Sequence, residues 1–241
     1  MDFKLEVPTS LEYFASLVQS DTEFPLLEAA ICLAQDEYPE LDIQEVLGQV
    51  DQLVSRLKKR LPADAGAIHK LRLLNKFFFE EMGFAGNANN YYDPDNSYLH
   101  VMLRTRRGIP ISLALLWLEL AGQIGLDAHG VGFPGHFLVK VHLPYPHEGK
   151  VVIDPFNGHS LTKEDLMERL SPLYVESGLV RDGEISDELL KHYLRSATPR
   201  EIMTRMLRNL EEVYGSQSDI ERLDAVRKRL KVLLPSLDDA V

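Results

Sequence analysis

An α+β fold is predicted by three observations. Apolar residues recur at helical spacing over the first eighty-odd and the last forty-odd residues, and a helix-length run with a single charge, LALLWLELA, sits between them. Directly after that run the period changes to two, in HFLVKV and KVVIDP. The expected arrangement is a buried central helix packed on a small antiparallel sheet, with a helical layer before it and a helical hairpin after it.

At 241 residues the chain can bury one sizeable core, or a core with a smaller helical annex. Hydrophobic residues at 45% and charged residues at 26% match an ordinary soluble globular protein. Lys+Arg at 26 against Asp+Glu at 37 leave a formal charge of -11, and the densest basic spots, Lys58 to Arg60 and Arg104 to Arg107, are short. Sequence-independent nucleic-acid binding is disfavoured, because it draws its affinity from cations set against phosphates. No apolar run approaches the roughly 20 residues that span a bilayer. MDFKLEVPTS lacks the apolar segment of a signal peptide, and Cys32 alone makes no internal disulfide, so a cytoplasmic location is expected.

Thr9 and Glu12 have capping-box spacing, which predicts a helix through about Val18 with Leu11, Phe14, Leu17 and Val18 inward. Pro25 suits a first helical turn, and LLEAAICLAQ after it is apolar almost all round, with Glu28 as an oddity. Pro39 breaks the pattern and Asp42 with Glu45 restarts it. Ile43, Val46, Val50, Leu53, Val54 and Leu57 then mark a third helix. A fourth runs from about Ala67 to Met82, with Gly83 as a left-handed cap.

The stretch AGNANNYYDPDNS, up to Ser97, is rich in turn formers. It reads as a surface loop held by its own side-chain bonds, or as the lining of a site. Asn96 or Ser97 caps a helix through Arg106 that Gly108 ends. Pro110 fits the first turn of the next helix, which Ser112 enters and Gly125 closes. With Glu119 as its one charge, LALLWLELA must be wrapped by protein on nearly every side.

Past Gly125, Val131 and Phe133 alternate. From His136 to Leu143, Phe137, Val139, Val141 and Leu143 share one strand face, and His136, Leu138, Lys140 and His142 the other. LPYPHEG turns the chain into KVVIDP, giving an antiparallel hairpin buried on at least one face. Helices resume near Thr162 and Ser186. Thr198, Pro199 and Glu201 make the clearest helix start, followed by a stripe from Ile202 to Val213, and a partner helix runs from about Asp219 to Leu234. This pair spans about the 34 residues of a tetratricopeptide unit, and one such unit must dock on the core. The expected divisions are a helical layer (1–83), a core (84–170), a connecting segment (171–198) and the helical hairpin (199–241).

Ser112, His136 and Asp154 form the constellation that could carry chemistry. A nucleophile at a helix start gains from the helix dipole and from free N–H groups that receive an oxyanion. A histidine at a strand edge takes its proton, and a carboxylate on the next strand fixes the imidazole tautomer. Each residue also has a structural reading: Ser112 as a cap, His136 as a hydrogen-bonded structural residue, Asp154 as a turn former. A hydroxyl, unlike a thiol, does not become a standing anion in such a place and needs a base at every turnover. No metal is expected, since His129, His136, His142, His147 and His159 lack paired i, i+3 or i, i+4 spacing and Cys32 is remote. No phosphate-binding loop occurs, so no cofactor is expected.

NNYYDPDNSYL, GIPISLALLWLELAGQIGL, PGHFLVKV and VVIDPFNG, with AICLAQDEYPELD before them and PREIMTRMLRNLEEVY after, carry a resemblance over nearly the whole chain. The sequence resembles the bacterial transglutaminase-like proteins with a tetratricopeptide-like tail, the invasion-regulator-B-like family. The resemblance implies a papain-like α+β core. It also lays the Cys, His and Asp of catalytic members onto Ser112, His136 and Asp154, with Ser in place of Cys. Two functions follow as expectations: a regulatory pseudoenzyme that binds a protein or peptide, or a serine-type hydrolase or acyl transferase. In the second, Ser112 is nucleophile, His136 base and Asp154 orienter. Neither nucleic acid nor membrane is an expected partner, and the oligomeric state stays open.

Overall fold

The computed structural model describes residues 8–20, 23–146, 148–177 and 186–235. Residues 1–7, 21–22, His147, 178–185 of the connecting segment and 236–241 of the tail lie outside the described residues. The Thr9–Glu12 box closes at both ends: Thr9 N–H donates to Glu12 Oε2 at 2.8 Å and Glu12 N–H to Thr9 Oγ1 at 3.2 Å, opening α1 (Ser10–Leu17). Helix α2 (Leu26–Cys32) is buried and runs on as a 3-10 turn to Asp36. Its Glu28 accepts a hydrogen bond from the Tyr13 hydroxyl, which accounts for a carboxylate on an apolar helix. Asp42 caps α3 (Ile43–Lys58). Helix α4 (Ala67–Asn75) continues through a π-helical turn, Lys76–Glu81, towards Gly83 at φ 71°.

The turn-rich stretch holds one element that alternation could not reveal. β1 (Ala85–Gly86) pairs in parallel with β2 (Arg107–Gly108), and two-residue strands carry no period. Helix α5 (Leu99–Thr105) ends at Arg106, φ 62°, not at Gly108. Arg106 holds this left-handed position with its guanidinium 4.7 Å from the centre of the Phe84 ring. Gly108 is used for close packing, since a Cβ there would lie 2.7 Å from Ser112 Oγ.

Helix α6 (Pro110–Gln123) is the hub, and Leu113, Ala114, Leu116, Trp117, Leu120 and Ala121 are fully buried. It packs on an antiparallel sheet in the order β3 (Ala128–Val131), β4 (Leu138–Leu143), β5 (Gly149–Ile153), β6 (Ser160–Leu161). Val139, Val141 and Ile153 face the main core. The opposite face is covered too: Val131, Leu138 and Val152 meet Leu166 and Leu170 of α7 (Lys163–Ser177) and Leu190 of α8 (Asp187–Tyr193). Lys140, on that second face, is buried and donates to the Leu194 carbonyl at 2.6 Å, its stem lying along apolar surface.

The capping box at Thr198 and Glu201 opens α9 (Pro199–Ser216), and Asp219 caps α10 (Ile220–Leu233). This hairpin shares the main core with the first helices. Buried Arg229 bonds Asp36 (Nη2 to Oδ1, 2.9 Å), and Arg222 reaches Glu37 (Nη2 to Oε1, 2.6 Å). Among the described residues no helix is long and apolar enough to cross a membrane.

Candidate functional site

Ile109 is extended (φ -90°, ψ 165°) and forms the cap of α6, with Pro110 in the first helical position. Ser112 is therefore the third helical residue, where a side chain can reach back to the cap. It does so: Ile109 N–H donates to Ser112 Oγ at 3.1 Å. The hydroxyl proton points at the Asn96 carbonyl, 2.7 Å away, with the Ile109 carbonyl at 3.1 Å. A hydroxyl has one proton to give, and here backbone carbonyls take it. Ser112 is fully buried.

Asn96 is held as firmly. Its Nδ2 donates to the Asn90 carbonyl at 2.7 Å, its Oδ1 accepts from Asn87 Nδ2 at 2.9 Å, and Asn87 N–H donates to the Gly108 carbonyl at 3.0 Å. The Asn-rich stretch is thus tied by its own side chains onto the start of α6. Sequence reasoning found the stretch but not the Asn96–Ser112 bond, which exists only once the loop folds back.

His136 sits just ahead of β4, after Gly135 at φ 66°, with its N–H donating to the Phe133 carbonyl at 3.1 Å. Its Nε2 lies 2.8 Å from Asp154 Oδ1. Asp154, directly after β5, is fixed by a tight turn: its N–H donates to the His159 carbonyl at 2.9 Å, and its carbonyl accepts from Gly158 N–H at 2.8 Å. Two further donors converge on the carboxylate, Phe156 N–H at 3.0 Å and Arg169 Nη2 at 3.0 Å. Burial pushes the Asp154 carboxyl up. The hydrogen bond and charge of His136, the Phe156 N–H and Arg169 outweigh it, leaving the pKa below the ordinary carboxylate value. Asp154 is ionised at neutral pH and holds the imidazole through Nε2, which leaves Nδ1 on the side away from the carboxylate. The side chain of His136 is 22% exposed, that of Asp154 only 4%.

Arg169 is a site residue that sequence reasoning missed, because it meets Asp154 only when α7 lies across the end of β5. Phe156 is another. A Cβ on Gly86 would lie 2.2 Å from its ring, so the β1 backbone passes directly against it. The Phe156 ring centre is 6.4 Å from that of His136 and 6.2 Å from that of Tyr91. Tyr91 (41%) and Tyr92 (62%) are exposed. Among the described residues, His136 and Asp154 are brought into direct contact, while Ser112 bonds to neither.

The chain matches the family described as transglutaminase-like superfamily over residues 44–208. That span takes in Ser112, His136, Asp154 and Arg169. The chain is 36% identical over 234 residues to a UPF0162 protein of Xylella fastidiosa (strain 9a5c), covering 96% of this chain and 80% of that protein. It is 31% identical over 209 residues to a UPF0162 protein of Pseudomonas aeruginosa, covering 86% and 71%. It is 30% identical over 148 residues to F-box only protein 21 of Homo sapiens, covering 52% of this chain and 24% of that protein. No solved structure matches.

Proposed function

The chain belongs to the transglutaminase-like superfamily, and from that premise we propose that it is a cytoplasmic regulator that binds a protein or peptide on a core retired from catalysis. The observation that carries this reading is the state of Ser112, fully buried with its proton given to the Asn96 carbonyl. To attack a substrate the hydroxyl must leave that carbonyl and the Ile109 backbone and turn towards His136. Each bond abandoned costs about 0.5–1.5 kcal/mol, and about 1–3 kcal/mol where a buried partner stays unsatisfied. A serine gains no compensating anion from the helix start.

The groups that face outward suit binding. Tyr91, Tyr92, Phe156 and His136 form an aromatic row with a polar end, and such side chains are enriched at interface centres. The α9–α10 hairpin, read as tetratricopeptide-like, adds partner surface. The match to one quarter of F-box only protein 21 supports a core that works as one part of a larger protein. The 2.8 Å His136–Asp154 bond favours a second reading, a serine-type hydrolase or acyl transferase whose base is in place.

Labelling with a fluorophosphonate probe decides between them, comparing wild type with Ser112→Ala. No labelling dependent on Ser112 is expected. Labelling that disappears in the variant would overturn the regulatory reading and establish the second.

A further inference from the structure

At the other end of β4 from His136, three side chains converge that no helical spacing relates. Strand period two puts Asp127, just before β3, on the same face as His129 within it. The antiparallel register, Ala128 opposite Val141 and His129 opposite Lys140, carries His142 opposite Asp127, where His142 N–H donates to the Asp127 carbonyl at 2.9 Å. Cross-strand partners share a face, so all three side chains meet. His129 Nε2 lies 2.8 Å from Asp127 Oδ1 and His142 Nδ1 lies 3.2 Å from Oδ2. One donor atom from each residue falls within 4.8 Å of the others.

We propose that Asp127, His129 and His142 bind a divalent transition-metal ion of the zinc class. Two imidazoles and a carboxylate are a donor set that such ions take, with the remaining position left to water. Metal–donor bonds of about 2.0–2.2 Å set tetrahedral donors roughly 3.4 Å apart, so the 2.8 and 3.2 Å imidazole–carboxylate contacts would open slightly and no pair of donors, all within 4.8 Å, has far to move. A neutral imidazole frees the coordinating nitrogen by moving its proton to the other one, without loss of a proton from the ring. The polar engagement of His142 already runs towards the cluster: Nδ1 faces Asp127, and buried Nε2 has no hydrogen-bond partner among the described residues. Two lysines share this face: Lys140 turns its ammonium away to the Leu194 carbonyl, and exposed Lys150 lies opposite His142 on β5, where its long side chain can stay in solvent. An ion pair alone would use one histidine for one carboxylate, whereas here both rings address a single side chain from two strands. The three side chains are 35–60% exposed, which leaves an ion a path from solvent.

The test uses the whole chain, stripped with EDTA and titrated calorimetrically with Zn²⁺, and in parallel with Co²⁺ followed by its visible d–d absorption. One ion per chain is expected, with the stronger absorption of a low-coordinate Co²⁺ site. His129→Ala and His142→Ala should each weaken binding at least about tenfold, and the double variant should abolish it, while His159→Ala leaves the titration unchanged. Far-UV circular dichroism and the Gln variants at positions 129 and 142 separate loss of ligand from loss of fold. A wild type that takes up no ion, or a folded double variant that binds as tightly as wild type, overturns the proposal.

Discussion

Ser112 and Asp154 are about equally buried, at 0% and 3%, and they are buried on opposite terms. Ser112 is satisfied by main chain from its own helix start and from Asn96. Asp154 is satisfied by donors from three places: His136 ahead of β4, Arg169 on α7 and the N–H of Phe156. A hydroxyl is cheap to bury once bonded, while an ionised carboxylate is costly unless several donors converge on it. The fold therefore uses Ser112 as a fastener and keeps Asp154 as a charge. The side-chain partners of that charge, His136 and Arg169, are both partly exposed, and His136 is the one member of the expected triad that a ligand can reach.

The sharpest way to break this contrast is at the carboxylate. Asp154→Ala leaves the Arg169 guanidinium, the His136 ring and the Phe156 N–H without their shared acceptor. Breaking a fully buried pair costs about 3–5 kcal/mol. Arg169 is 36% exposed, so solvent screens part of the loss and about 2–3 kcal/mol is expected in a urea denaturation. The pKa of Asp154 is lowered by folding, so its contribution is fully present above the unfolded value, near 4, and is lost as pH falls through the folded value. Wild-type stability should fall below about pH 4, and that fall should be shallower in the variant. An unchanged acid limb would remove Asp154 from the account.

Next in size is Ser112→Ala, which strips the Ile109 N–H of its shorter acceptor and the Asn96 carbonyl of its shorter donor. A cost of about 1–2 kcal/mol is expected, in the range of a lost helix-start bond with buried partners. The Asn96 carbonyl keeps a longer bond from Ile109 N–H at 3.3 Å, which limits the damage. A variant as stable as wild type would mean that Ser112 is held in place for something other than structure.

What the sequence made legible, and what it hid, divides along the same line. Helix starts at Thr9, Asp42 and Thr198 could be read because a cap joins groups two or three residues apart, before any packing occurs. The burial of α6 followed from its single charge, and the β4–β5 hairpin from its alternation. The bonds that define the candidate site and the histidine cluster at the far end of β4 join distant residues: Asn96 with Ser112, Arg169 with Asp154, Asp127 with His142. None has a local signature, because each pair meets only after a loop, a helix or a strand has docked. Lys140 shows the same limit in reverse. A lysine in an alternating strand signals solvent, yet α7 and α8 cover that face and a carbonyl receives the ammonium.

The smallest effect is expected at the residue proposed to face a ligand. His136→Asn removes one of three donors to Asp154 from a side chain that is 22% exposed, and Arg169 and the Phe156 N–H remain. The cost in urea should be about 0.5–1 kcal/mol, the ordinary net value of one hydrogen bond. Without the imidazole, the Asp154 pKa rises towards the ordinary carboxylate value, so the acid loss of stability still begins near the unfolded value but is shallower and complete at higher pH than in wild type. The three variants then rank Asp154, Ser112, His136. A loss at His136 approaching that of Asp154→Ala would make the imidazole a structural member of the buried cluster, and it would leave the aromatic row without a residue held in place for a ligand.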